Sequence, residues 1–114
     1  MATTPLTPIV FGGDLTTAFQ NLFTVPSDKK GIGIDAVVFN NYSNSSQTFT
    51  VRLVQAGTGT VLNEIITDEN IRKKGRDLAP AMIGQALVTG GIIQAKASAN
   101  DSINVTITAT VIDN

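Results

Sequence analysis

The last segment of the chain contains the pattern that most restricts its fold. Between residues 103 and 111, apolar residues alternate with polar ones at every second position. Successive side chains of a strand point to opposite faces, whereas a helix repeats its apolar positions every three or four residues. The segment therefore predicts a β-strand with one buried and one wet face. The apolar positions are Ile103, Val105, Ile107, Ala109 and Val111, and the polar ones are Asn104, Thr106, Thr108 and Thr110.

Further short strands are predicted along the chain, each bounded by turn-forming residues. They span residues 17–25, 32–39, 47–54, 60–67 and 92–99, and residues 56–59 form a tight hairpin connection. In the second of these, one face is expected to carry Ile32, Ile34, Ala36 and Val38, and the other face Val37 and Phe39 toward the end of the strand. Strands repeated at about 8–12 residue intervals indicate an all-β protein, an antiparallel β-sandwich of jelly-roll-like or Ig-like topology.

One segment departs from this strand pattern. Residues 68–74 have a helix-like composition, with Asp68 as a possible N-cap and Gly75 as a possible end. The sequence therefore predicts at most one short helix in the sandwich. Residues 76–87 are mixed, because Pro80 prevents a continuous strand there.

The first 14 residues are predicted to form an extended N-terminal arm, followed by a single domain over residues 15–114. Pro5, Pro8, Gly12 and Gly13 interrupt regular structure in this arm. The apolar run Ile9, Val10 and Phe11 is unusual for a disordered tail, so part of the arm is expected to dock as a short strand.

Composition excludes several classes of function. The 114 residues contain no Cys and no His, and the net charge is −1. We therefore expect no metal site, no cofactor and no catalysis that depends on these side chains. A near-neutral chain also lacks the basic face of a general nucleic-acid binder. Residues 78–95 are broken by proline and glycines, so no membrane span is expected, and no signal peptide is visible, which predicts synthesis in a cytoplasm.

Two patterns resemble enzyme motifs but lack the required context. Residues 31–36 fit the Gly-x-Gly-x-x-Ala form of a dinucleotide fingerprint, yet they lead into a strand instead of a helix. Asp35 and Glu64 both lie on predicted strands and could in principle meet as a carboxylate pair, but nothing in the sequence selects them and a surface role fits them better. We therefore expect neither an enzyme nor a small-molecule substrate.

The candidate functional residues are contacts to partner proteins. Arg72, Lys73, Lys74 and Arg76 concentrate half of the positive charge in five residues, either as a solvated connector or as a partner contact. Tyr42, the only tyrosine, lies in the polar loop 40–46 and could anchor an interface or cover the core. The arm residues Ile9, Val10 and Phe11 complete the set.

Uncharged polar residues replace much of the usual surface charge. The chain contains 15 Thr, 6 Ser and 9 Asn, whereas charged residues make up only 15%. Charge helps to keep free proteins apart, so a polar but uncharged surface suits a protein that packs against other protein.

Two long segments resemble small β-sandwich proteins of tailed-bacteriophage virions. They are LTTAFQNLFTVPSDKKGIGIDAVVFNNYSNSSQTFTVRLV and GGIIQAKASANDSINVTITATVID. The shared features are a strand that ends in Val-Pro, an apolar strand leading to an Asn-rich loop, and a Gly before an Ile-x-Ala strand. The resemblance is strongest to capsid decoration proteins, also called cement proteins.

This resemblance implies a structural role in a virion. It implies binding to the major capsid protein and to copies of itself, as a homo-oligomer such as a trimer, on the outer capsid surface at capsomer junctions. The arm 3–11, the loop 40–46 and the connector 68–76 would supply the contacts, and an arm that adds a strand to a neighbour would need little sequence specificity. Tail, baseplate or fibre-adaptor proteins are the alternative, and a carbohydrate-binding module is the third hypothesis.

Overall fold

Nine β-strands account for the regular structure in the computed structural model, which describes residues 6–55 and 63–113. The described residues contain no α-helix. The strands are β1 (Leu6–Asp14), β2 (Gln20–Thr24), β3 (Lys29–Asn41), β4 (Gln47–Val54), β5 (Glu64–Ile71), β6 (Arg76–Asp77), β7 (Ala86–Val88), β8 (Ile92–Ala97) and β9 (Ile103–Asp113).

The strands form two antiparallel sheets with a jelly-roll order. Sheet A has the order β1-β9-β3-β6, and β7 pairs with β3 beside β6. Sheet B has the order β2-β8-β4-β5. When β6 and β7 are counted as one interrupted strand, successive chain segments wrap around both sheets as in an eight-stranded jelly roll. The structure thus confirms the predicted antiparallel β-sandwich and selects the jelly-roll topology.

The core lies between the two sheets and is filled by side chains from alternate strand positions. Phe39 of β3 stacks on Phe49 of β4, with 4.0 Å between ring centroids, and both side chains are fully buried. At the β1 side, Phe11 stacks on Phe23 of β2 at 4.8 Å. Aromatic pairs of this kind add to the stabilisation from buried area. The two stacked pairs therefore hold the sheets together at two positions.

The predictions for β4 and β9 are confirmed. β4 spans the predicted residues, and the five apolar positions of β9 are all buried. Pro80 interrupts the chain between β6 and β7 as expected. The strand predicted at 17–25 is shorter, β2, and the one predicted at 60–67 lies later in the chain, as β5. The hairpin connection predicted at 56–59 falls outside the described residues.

The predicted face of β3 is wrong in its second half. The register with β9 shifts between Ile34 and Ala36, which marks a bulge at Asp35. Because the bulge adds one residue, Ile34 is buried but Ala36 is exposed, and Val37 and Phe39 turn toward the core.

The predicted helix at residues 68–74 is also wrong. Asp68 to Ile71 continue β5, which pairs with β4, and Ile71 is buried. The carboxylate of Asp68 caps no helix. Its Oδ1 accepts a hydrogen bond of 3.3 Å from the Thr50 hydroxyl, which accepts one of 3.0 Å from the Asp68 N–H. Pairing with β4 thus outweighs the local helical preference.

The described part of the predicted arm is a full-length strand of sheet A. β1 pairs with β9 in an uninterrupted register from Leu6 opposite Ile112 to Asp14 opposite Asn104. β1 ends at Asp14 but belongs to sheet A of the sandwich, and the division into an arm and a domain over residues 15–114 stays a prediction. Whether the arm also reaches a neighbouring molecule stays a prediction.

Candidate partner-binding surfaces

Four connections meet at one end of the sandwich, which we call the four-loop end. They are residues 15–19, 42–46, 72–75 and 98–102. Backbone hydrogen bonds tie them together: Tyr42 N–H donates to Ser102 O at 3.0 Å, and Asn41 N–H donates to Gly75 O at 2.9 Å. Loops fixed in this way form a defined surface, and loops on a rigid scaffold commonly carry binding function.

Asn41 organises the four-loop end from inside. Its side chain is fully buried, and Nδ2 donates to the carbonyls of Ser45, Ile71 and Arg72 at 2.8, 2.9 and 3.2 Å. Oδ1 accepts from the Ser43 N–H at 3.0 Å and from its hydroxyl at 2.7 Å. Asn41 was not among the predicted site residues. The Asn- and Ser-rich segment 40–46 predicts a loop, but it does not show which of its side chains is buried.

The predicted basic residues lie in and beside the turn between β5 and β6, residues 72–75, which we call the basic turn. Arg72, Lys73, Lys74 and Arg76 are all exposed. Lys74 has a φ of 58°, and its Nζ donates to Tyr42 O at 2.7 Å. The structure therefore brings the predicted Tyr42 and the predicted basic residues together at the four-loop end, with the cationic groups facing outward.

Tyr42 also lies close enough to the end of β1 to be affected by the charge of Asp14. The side chain is half-buried, and desolvation raises the pKa of its phenol above the usual 10.0. The negative charges of Asp14 and Asp101 raise the pKa further. The phenol of Tyr42 therefore keeps its proton at neutral pH.

The three predicted arm residues lie on opposite faces of β1. Ile9 and Phe11 pack against the core, whereas Val10 is 68% exposed. Val10 lies opposite Thr108, several residues along the strand from the four-loop end. The structure thus separates the arm residues from Tyr42 and the basic turn, and of the three only Val10 presents its side chain to solvent.

An apolar depression on the outer face of sheet A was not predicted. Ala36, Val38, Leu78, Pro80 and Ile83 border a shallow concavity of about 270 Å³. Leu78 is 64% exposed. The neighbouring Asp35 is engaged by Thr110, whose hydroxyl donates to Oδ2 at 2.7 Å. Leu78 and Ile83 lie between β6 and β7, where no periodic pattern could have shown that they face solvent.

The outer face of sheet B has a different character. The Arg52 guanidinium lies 3.6 Å from the centroid of the Phe19 ring, and Lys96 Nζ lies 4.8 Å from it. Cations close to an aromatic face are held electrostatically. Sheet A therefore presents an apolar and hydroxyl-rich outer face, while sheet B presents a cationic cluster.

In residues 6–55 and 63–113, no three acidic side chains cluster closely enough to hold a metal ion. No helix in the same ranges has the length and apolarity to span a bilayer. These surfaces present hydroxyl groups, exposed apolar side chains, a shallow concavity and a cationic turn, and all of these features can take part in binding.

Comparison with solved structures gives the fold a context. The chain is similar to one in the acidic stable capsid structure of Helicobacter pylori bacteriophage KHP30, with a TM-score of 0.51 and 9% sequence identity. That alignment covers 96% of this chain and 93% of the other. The jelly roll of this chain is therefore a fold found, over nearly its whole length, in a viral capsid.

A lower-scoring similarity is to a chain of infectious bursal disease virus, Gx strain. The TM-score is 0.43 and the identity 15%, and the alignment covers 98% of this chain but 32% of the other. No protein-family model and no curated protein sequence matches the chain significantly.

Proposed function

We propose that this chain is a structural protein of a virion, and that it acts as a decoration protein on the outer surface of a phage capsid. It acts by binding alone, adding protein interface across neighbouring capsomers and so holding the shell against internal pressure. The observation that carries the proposal is a jelly roll shared with a capsid chain over almost the full length of both chains.

The surface supports a role in packing among other proteins. Charged residues are 15% of the chain, and the outer positions of β9 from residue 104 to residue 110 are Asn and Thr. Exposed apolar side chains such as Leu78 and Val10 lie on the same face of the molecule. Such a face loses little charge solvation when it is covered, so it suits contact with another protein.

The four-loop end is the proposed contact to the shell. The exposed cations of the basic turn would face acidic groups of the major capsid protein, and Tyr42 would contribute at the edge of the contact. Charges at the rim of an interface chiefly guide association and orientation. Asn41 takes part only by fixing the loops that carry these groups.

The test uses capsid heads that lack this chain, to which the purified full-length protein is added back. The proposal expects saturable binding to heads and a higher temperature of head rupture at full occupancy. Binding to tails or baseplates and not to heads would support the tail alternative and contradict the decoration role. Binding to glycans with no binding to particles would support the carbohydrate-binding alternative instead.

A further inference from the structure

The four sheet edges of the sandwich differ in how they are protected. A free edge presents unpaired N–H and C=O groups that can bind another strand, and proteins block such edges with charge, bulges or short strands. β2 is five residues long with a register shift, β5 carries Glu64, Asp68 and Glu69, and β6 and β7 have two and three residues. These three edges are therefore poor sites for adding a strand.

The edge formed by β1 lacks most of these devices. β1 has nine residues, pairs with β9 without a register shift, and carries no charged side chain from Leu6 to Gly13. No strand among residues 6–55 and 63–113 pairs with its outer side. Two of its outward side chains, Leu6 and Val10, are 64% and 68% exposed.

The direction of the free backbone groups follows from the register. Leu15 N–H donates to Ile103 O at 2.9 Å, in the same register that pairs β1 with β9. Hydrogen-bonding groups alternate sides along an antiparallel strand, so the odd-numbered residues of β1 bond to β9. The groups of Val10 and Gly12 therefore point to the free edge. The backbone carbonyl of Pro8 points to the free edge as well. Proline has no N–H donor and is tolerated on edge strands for that reason.

We propose that this edge pairs with the same edge of a second copy of the chain, antiparallel and centred on Val10, so that sheet A continues across a twofold axis. Pairing about Val10 places the two valine side chains side by side and covers both. It also places Gly12 of each copy beside Pro8 of the other, where the donor of Gly12 meets the acceptor of Pro8.

A second copy suits this edge better than a foreign segment for two reasons. An uncharged strand can lie against its own copy without like charges facing each other, whereas β5 could not. A twofold contact also closes, so both free edges are satisfied at once and no further copy is recruited. The inference goes beyond the proposed function, because an isolated pair of copies is predicted whether or not a capsid is present.

The test measures hydrogen exchange and mass of the full-length protein over a concentration series. We expect a concentration-dependent dimer by light scattering. In the dimer, the amides of Val10 and Gly12 should become protected, whereas those of Ile9 and Phe11 are protected at all concentrations. Val10→Lys should weaken dimerisation at least tenfold, because it places two cations together at the centre of the contact. Thr106→Lys, on the same face but in the central strand β9, is the matched control and should dimerise as the unaltered chain does.

Several results would overturn the inference. A chain that stays monomeric at all concentrations would do so, as would a trimer. A dimer in which the Val10 and Gly12 amides exchange freely would show that the copies meet elsewhere. Protection of these two amides that arises only when capsid heads are added would assign the edge to the shell protein instead of a second copy. These outcomes leave the binding of the chain to heads as a separate question.

Discussion

At the scale of single residues, Asn41 links three chain segments through one buried side chain. Its amide joins the β3–β4 loop to the basic turn, so its loss would leave buried carbonyls without a donor. We expect Asn41→Ala to lower the free energy of unfolding by about 3 kcal/mol. Chemical denaturation measures this. Asn40→Ala, one position away on the outward face of β3, is the control, and an equal loss for both variants would contradict the assigned role.

The ion pair between Lys29 and Asp113 predicts a pH dependence at the same scale. Lys29 Nζ lies 2.6 Å from Asp113 Oδ1, and the Thr7 hydroxyl donates to Oδ2 at 3.0 Å. Hydrogen bonds from Lys29 and Thr7 lower the pKa of Asp113 below its usual 3.8, and the Asp113 hydrogen bond raises the pKa of Lys29 above 10.5. The pair joins β1 and β3 to the end of β9.

The two pKa shifts set the pH range over which the Lys29–Asp113 ion pair stabilises the fold. A lowered carboxyl pKa gives stability that is present above pH 3.8 and is lost as the pH falls through the folded-state pKa. A raised lysine pKa gives stability that is present below pH 10.5 and is lost as the pH rises through the folded-state value. Asp113→Asn should therefore destabilise the protein between these limits and have little effect at lower pH. A difference in unfolding free energy that does not change with pH would contradict this.

At the scale of strands, an unbroken alternation of apolar and polar residues is enough to predict a strand and its buried face. An interrupted alternation is not. β4 and β9 are predictable because the alternation is unbroken over residues 48–53 and 103–111. The second half of β3 was assigned to the wrong face because the bulge at Asp35 is set by pairing with β9, which no local pattern shows. The polar end of β5 was predicted as helix because its local composition favours a capped helix, while its pairing with β4 is non-local.

The candidate partner-binding surfaces, like the strands, are predictable from the sequence only in part. Exposure of the basic residues followed from their charge, and their meeting with Tyr42 required the fold to bring two distant loops together. The apolar depression around Leu78 and Ile83 could not be predicted, because these residues lie outside any periodic segment. The buried role of Asn41 was hidden for a related reason, since an Asn-rich loop looks the same whichever residue faces inward.

The pairing of β1 with β9 depends on Gly12. A Cβ at this position would lie 1.9 Å from Val105 O, an impossible contact with backbone. Gly12→Ala should therefore displace β1 locally and lower the free energy of unfolding by about 1–3 kcal/mol. The amides of Ile9 and Phe11 should lose protection from exchange. Gly33→Ala, where a Cβ meets nothing within 4 Å, is the control and should leave these amides protected.

At the scale of the whole molecule, the jelly roll places the basic turn at one end and the Lys29–Asp113 pair at the end of β9, where β3 begins. If the four-loop end contacts the shell, Lys73→Glu should weaken binding to heads by up to about tenfold, because a rim charge is reversed. Lys30→Glu, an equally exposed lysine at the start of β3, should leave head binding unchanged. Equal weakening by both variants would indicate a general effect of net charge and contradict an oriented contact.

If this chain is a structural component of a capsid, its copy number in purified particles must be high. Quantitative mass spectrometry of heads and tails, each measured against its own major protein, supplies the number. We expect on the order of hundreds of copies per particle, retained in heads separated from their tails. A handful or a few dozen copies confined to the tail fraction, or none in the particle, would contradict it.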